Sequence, residues 1–214
     1  MKKILLLGDS IRLGYEGYVK ESLNGIAEVY SSKDTSQFAQ YLFRWLHVWK
    51  EKERYPEDMD LVHWNVGAWD VLRIFDEGTF TSAEYYGEML KRLSKRISFL
   101  FPKAKQIFAT CTSVVEDGYE PPYQRYNSDI EKFNGIAKET LIPLGVIIDD
   151  LYSVTKVAPA SCRSDMTHFY TCDGIKLIGT KVTEAICKQI DIPLEKIKNV
   201  SAIIPKLSKE LIGC

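Results

Sequence analysis

The chain has 214 residues, 45% of them hydrophobic and 27% charged, a composition that suits one globular domain and is short for two. A formal net charge of −1 gives no field to attract a polyanion, so no nucleic-acid partner is expected. No apolar run approaches the length of a bilayer span, and no membrane partner is expected either.

The first segment, Met1-Lys2-Lys3 followed by Ile4-Leu5-Leu6-Leu7, imitates the head of a secretory signal. It is too short for one and runs into Gly8-Asp9-Ser10 instead of a small-residue cleavage site, so it reads as a buried first strand over residues 4–7. Ser10 then stands at a strand-to-helix turn. Two readings apply: a nucleophile at the carboxyl edge of a sheet, or a serine that simply caps the next helix. Further apolar strands are predicted over 27–30, 61–64, 106–110 and 146–148. Helices are predicted over 13–23, 38–49, 82–100, 127–142 and 174–190, the third showing the helical period best at Met89, Leu90, Leu93 and Ile97. Five strands alternating with helices imply a parallel sheet in a three-layer α/β/α sandwich of flavodoxin-like type, with the strand order left open. Residues 1–214 read as a single domain, in which 191–214, punctuated by Pro193 and Pro205, is an appendage that packs on the core or on a partner subunit of a homo-oligomer.

A serine hydroxyl needs a base, and there are three histidines. His47 and His63 lie within apolar segments and read as structural. His168 lies in the polar stretch Ser164-Asp165-Met166-Thr167-His168-Phe169-Tyr170 between the last strand and the last helix. Asp165, three residues earlier, can accept the proton on the far imidazole nitrogen and fix the tautomer. The bland reading is a turn-capping aspartate beside a surface histidine. The five cysteines, Cys111, Cys162, Cys172, Cys187 and Cys214, form no C-x-x-C pair and no ligand-spaced cluster, so a reduced, cytoplasmic protein without metal or cofactor is expected.

Gly8-Asp9-Ser10 after the first strand, Asp165-x-x-His168 before the last helix, and the glycine-aspartate block Gly67-Ala68-Trp69-Asp70 after the third strand together resemble the SGNH (GDSL-type) hydrolases, over residues 3 to about 190. The resemblance implies a flavodoxin-like sandwich, metal-free ester hydrolysis, and Ser10, His168 and Asp165 as nucleophile, base and orienter. It also implies an oxyanion hole from Ser10, Gly67 and a side-chain donor, and contacts of Asp9, Trp69 and Asp70 with a small ester substrate. Aligning Asp173-Gly174-Ile175-Lys176 on the family's Asp-Gly-x-His pattern instead would put a lysine in the base position, so Asp165-x-x-His168 is preferred. Two departures stand out. Trp69 occupies the place of the usual oxyanion asparagine, as in a subgroup with Gly-x-Trp-Asp, and residues 31–37 hold no clear match for the family's second-block glycine. Asn65 can replace the missing donor or can satisfy loop backbone groups; both readings stay open. The aromatic residues Trp64, Trp69, Tyr119, Tyr123 and Tyr126 suit stacking on a sugar or packing in the fold. The expected function is a serine esterase releasing a short acyl group, acetyl foremost, from a carbohydrate. The alternative is a non-catalytic ligand-binding scaffold with an incomplete oxyanion hole.

Overall fold

A computed structural model describes residues 1–75 and 77–213; Cys214 lies outside them, and Cys111, Cys162, Cys172 and Cys187 are free thiols. Strand β1 (Lys2–Leu7) is built from apolar residues whose side chains alternate between the two faces of a sheet. Leu5 and Leu7 enter one core and Ile4 and Leu6 the other, so both faces must be covered. The remaining strands of this sheet are β2 (Ala27–Ser31), β3 (Leu61–Trp64), β5 (Lys105–Ala109) and β7 (Ile147–Asp149), all paired in parallel in the order β2-β1-β3-β5-β7.

Helices α2 (Ala39–Glu53), α3 (Ala83–Leu100) and α4 (Asn127–Leu141) cover the face of Leu5 and Leu7. Their stripes, such as Leu42, Leu46 and Trp49 or Met89, Leu90, Leu93 and Ile97, recur at the three-to-four spacing of a buried helical face. Helices α1 (Ser10–Ser22), α5 (Leu151–Lys156) and α6 (Cys172–Gln189) cover the other face with Tyr15, Val19, Leu151, Ile178, Val182 and Ile186. The chain is thus the expected three-layer α/β/α sandwich on a five-stranded parallel sheet.

Helix boundaries depart from the expectation where a cap intervenes. Helix α1 begins at Ser10, three residues early, because Asp9 caps it by accepting from the Ile11 amide. Helix α6 begins two residues early because the Thr171 hydroxyl accepts from the Gly174 amide. Helix α7 (Ile204–Ile212), within the C-terminal segment, lies against α1 and α6; Leu207 fills the space above Gly17, and the Ser208 hydroxyl donates to the Tyr170 carbonyl at 2.7 Å. An antiparallel pair of two-residue strands, β4 (Arg73–Ile74) and β6 (Tyr123–Gln124), joins the loops that follow β3 and β5.

Strand β1 lies between β2 and β3: the chain runs from β1 to β2 on one side and from β2 crosses over to β3 on the other, so the crevice outside the carboxyl ends of β1 and β3 is the switch point at which such sheets bind ligands. Leu6 is fully buried in this central strand. Leu6→Ala is expected to lower the stability by about 2–5 kcal/mol. Chemical denaturation followed by circular dichroism checks this, with a lower midpoint and an unchanged slope as the expected result; a loss below about 1 kcal/mol would mean that the site collapses around the cavity.

Candidate active site

Asp9 and Ser10 leave the carboxyl end of β1 and open α1. Asp9 is fully enclosed, and its Oδ1 accepts from the Ile11 amide at 3.0 Å, so the capping role falls to Asp9 and not to Ser10. Ser10 is the first helical residue, where a backbone amide has no intrahelical acceptor and the helix carries positive partial charge. Its hydroxyl is likewise free of capping work and meets His168: Oγ and Nε2 are 2.8 Å apart. On the far side of the ring, Nδ1 lies 2.8 Å from Asp165 Oδ2 and 3.1 Å from Oδ1.

The direction of proton flow follows from Asp165. Partial burial pushes its carboxyl up, but the amides of Thr167 and His168 and the imidazole outweigh this and hold it below its ordinary value. An ionised carboxylate only accepts, so His168 donates from Nδ1 and its Nε2 lone pair receives the Ser10 O–H. Asp165, His168 and Ser10 therefore form one continuous hydrogen-bonded chain.

The loop that carries His168 is tied at many points. The Val115 amide donates to the Met166 carbonyl at 2.9 Å, the Ser164 amide to the His168 carbonyl at 3.0 Å, and Tyr119 shares a hydrogen bond with Thr167 at 2.7 Å. Gly174 lets the first turn of α6 press onto this loop, since a Cβ there would lie 2.1 Å from the Cys162 carbonyl oxygen and 2.6 Å from that of Phe169. Lys176, the base in the rejected alignment, is exposed. Tyr170, which sequence reasoning did not single out, stacks on the His168 ring with centroids 4.7 Å apart and donates its hydroxyl to the Ser10 carbonyl at 2.7 Å. It fixes both partners of the serine–histidine bond. Its place two residues after the histidine was the available signal.

The cavity beside Ser10 has a volume of about 440 Å³ and is lined by Ser10, His168, Ala68, Trp69, Leu72, Tyr119, Tyr123, Arg125, Met166 and Thr167. Trp69 is 41% exposed and forms part of this wall. Trp64 is core, edge-on to Phe108. Tyr126 belongs to a neighbouring cavity of about 570 Å³, which shares Tyr119 and Tyr123 with the first.

Four expected site residues stand behind the lining instead of on it. Asn65 packs over Gly8, where a Cβ would lie 2.0 Å from Asn65 Oδ1, and its side chain favours the ionised Asp9. It is 4% exposed and does not line the cavity. Burial nevertheless pushes the Asp9 carboxyl up, and Asp9 Oδ2 and Asn65 Oδ1 each lack a hydrogen-bond partner. Gly67 adopts φ +134°, and a Cβ there would strike Cys111 Sγ and Tyr86 Oη, so glycine is required by the turn itself. Asp70 is fully enclosed; it accepts from the Thr81 hydroxyl at 2.8 Å and from the Ala39 amide at 3.2 Å, tying the loop after β3 to the start of α2. The expected substrate contacts of Asp9 and Asp70 are corrected accordingly: both carboxylates organise backbone. Of Ser10, Asn65 and Gly67, expected together at an oxyanion hole, Ser10 lines the cavity. Among the described residues, no group of three or more His, Cys, Asp and Glu side chains is placed to hold a metal ion.

No family model matches the sequence, and no curated protein is a significant sequence match. Solved structures share the fold. A lipase/acylhydrolase from Enterococcus faecalis superposes with a TM-score of 0.69 at 20% identity, covering 92% of this chain and 98% of that one. The acetyl xylan esterase AlAXEase gives 0.68 at 16% identity, covering 86% and 99%. The psychrotrophic esterase EstA from Pseudoalteromonas, in a structure inhibited by monoethylphosphonate, gives 0.65 at 12% identity, covering 89% and 100%. The chain has the sandwich fold of these proteins over nearly their whole length.

Burial raises the Asp70 carboxyl to about 6 despite its hydrogen bonds to Thr81 and Ala39. An acid whose folded value lies above its unfolded value binds its proton more tightly when folded, so its contribution to stability declines as pH rises through the interval between the two. Asp70→Asn cannot ionise. The variant should therefore gain on the wild type between about pH 4 and pH 7, by on the order of 2–3 kcal/mol, whatever its constant offset. Denaturation midpoints of both proteins across that range test this; parallel pH profiles would show that Asp70 is not raised.

Proposed function

We propose that this chain is an SGNH-type serine hydrolase, of a subgroup with Gly-x-Trp-Asp in its third block, that removes a short acyl group, acetyl foremost, from a carbohydrate. The observation that carries the reading is the Asp165–His168–Ser10 chain, with Ser10 at a helix N-terminus on the wall of an aromatic-lined cavity. In the proposed reaction Ser10 Oγ attacks the ester carbonyl while its proton passes to His168 Nε2, and the Asp165 carboxylate stabilises the imidazolium that forms. The tetrahedral oxyanion develops near the Ser10 amide and the positive end of α1. Collapse breaks the ester C–O bond, and His168 returns its proton to the departing alkoxide, leaving acyl-Ser10. Water, deprotonated by His168, then releases the acid and restores the serine.

Trp69, Tyr119 and Tyr123 offer ring faces on which a sugar can stack, and a cavity of about 440 Å³ suits a ring bearing a small acyl group. The likeness of the fold to an acetyl xylan esterase supports the acetyl choice. A cytoplasmic site of action, suggested by the odd cysteine count, belongs to the same proposal. No helix among the described residues is long and apolar enough to cross a membrane.

Reaction with a fluorophosphonate followed by peptide mass mapping is expected to label Ser10. Ser10→Ala should take no label, and Asp165→Asn should label slower by about 10²–10⁴-fold because the imidazole loses its oriented tautomer. Acetyl esters should turn over faster than decanoyl esters. Folded protein that neither takes the label nor cleaves any ester, yet binds a sugar, would make the chain a binding scaffold.

A further inference from the structure

We propose that the substrate carries a negatively charged group and that Arg125 is the residue that reads it, a selectivity that rests on the hydrolase reading above. Arg125 follows β6 and enters the wall of the Ser10 cavity through the pairing of β4 with β6. Only 9% of the residue is exposed, yet all of its partners are neutral. Its Nε donates to the Ala68 carbonyl at 2.6 Å and its Nη1 reaches the Tyr119 hydroxyl at 3.4 Å. The guanidinium carbon lies 5.8 Å from the centre of the Trp69 ring and 5.6 Å from that of Tyr119. Among the described residues no carboxylate forms an ion pair with it, in contrast to Arg73, which is held by both oxygens of Asp129 at 2.8 and 3.1 Å. Asp9 acts on it only at longer range, from its enclosed position behind Ser10.

An enclosed cation without a counter-charge is unfavourable, and one carbonyl, one distant hydroxyl and two ring faces offset only part of this. The position is restored when an anion arrives. A guanidinium fork with Nε and one Nη1 contact engaged still offers the Nη2 protons and the second Nη1 proton, the arrangement that grips a carboxylate or phosphate through two oxygens. Tyr119, which contacts Arg125, and Tyr123 also line the neighbouring cavity, so a sugar ring reaching from one space to the other passes the guanidinium. The substrate class is therefore an acyl ester of an acidic sugar or comparable oxyanion-bearing alcohol.

The test compares three acetyl esters of matched shape: 4-acetoxybenzoate, 4-acetoxyphenyl phosphate and the neutral 4-acetoxybenzamide. Wild-type kcat/KM should favour at least one anionic ester over the amide by about 10–100-fold, the size expected of charge-assisted hydrogen bonds. Which anion is preferred separates a carboxylate from a phosphate substrate. Arg125→Gln should bring the ratio to within about threefold, and Arg125→Lys should keep an intermediate value because a point charge lacks the planar fork. Equal wild-type rates on all three esters overturn the proposal without reference to any variant, as does a preference that survives Arg125→Gln in a protein with an unaltered melting curve. Calorimetric titration of the same compounds into Ser10→Ala reads recognition apart from chemistry. If no ester is cleaved and Ser10 takes no fluorophosphonate, the hydrolase reading fails, while tenfold or tighter binding of an anionic probe over the amide still sustains Arg125 as an anion reader, and equal binding removes it.

Discussion

The hydrogen bond from the Ile11 amide to the buried Asp9 carboxylate is the contact on which the site depends. It ends β1 and starts α1 within three residues, so the first turn of the helix sits directly on the carboxyl edge of the sheet. Because Asp9 does the capping, Ser10 carries no structural duty with its side chain and presents both a hydroxyl and an unpartnered amide at one point in space. The arrangement has an electrostatic cost, seen in the upward push on Asp9 and in the unpaired Oδ2 and Asn65 Oδ1. Such unsatisfied groups beneath the proposed nucleophile are the kind of local conflict that a fold tolerates where chemistry is to be done.

The other half of the site arrives from more than 150 positions away in sequence, and its placement is a matter of tethering. The loop 163–171 has no regular structure beyond its flanks, so its order comes from side chains and from the two elements that press on it. Arg163 donates to the Ser113 carbonyl and hydroxyl and lies over the Phe169 ring, while Ser208 of α7 holds the Tyr170 carbonyl. Tyr170 then converts loop order into the geometry of the Ser10–His168 pair by stacking on His168 and bonding the Ser10 backbone. The C-terminal helix thus reaches the serine through one tyrosine.

What was legible in the sequence was what is local. The strands could be read because apolar runs such as 4–7 and 61–64 are buried on both faces, and Asp165 with His168 because an i,i+3 pair in one loop suffices to orient a ring. Helix starts at Ser10 and Cys172 were missed by a few residues because capping side chains, not apolar period, decide them. The enclosure of Asp9 and Asp70 escapes the sequence for a different reason: polar residues at a sheet edge can point out to a ligand or in to support a turn, and only hydrogen bonds such as those from Ile11, Ala39 and Thr81 decide which. Arg125 left no sequence signal at all, since strands of two residues have no period and β4 pairs with β6 across some fifty residues.

Trp69 connects these observations. Trp69 adds a broad ring face to the cavity wall. Arg125 sits against that ring while its Nε fixes the carbonyl of the preceding residue, Ala68. The two residues therefore behave as one unit: the ring supplies the face on which the guanidinium lies, and the guanidinium braces the turn that carries the ring. The guanidinium places a full positive charge in a largely enclosed wall, where its field is less screened. On the proposed chemistry that field favours both an anionic substrate and the developing oxyanion.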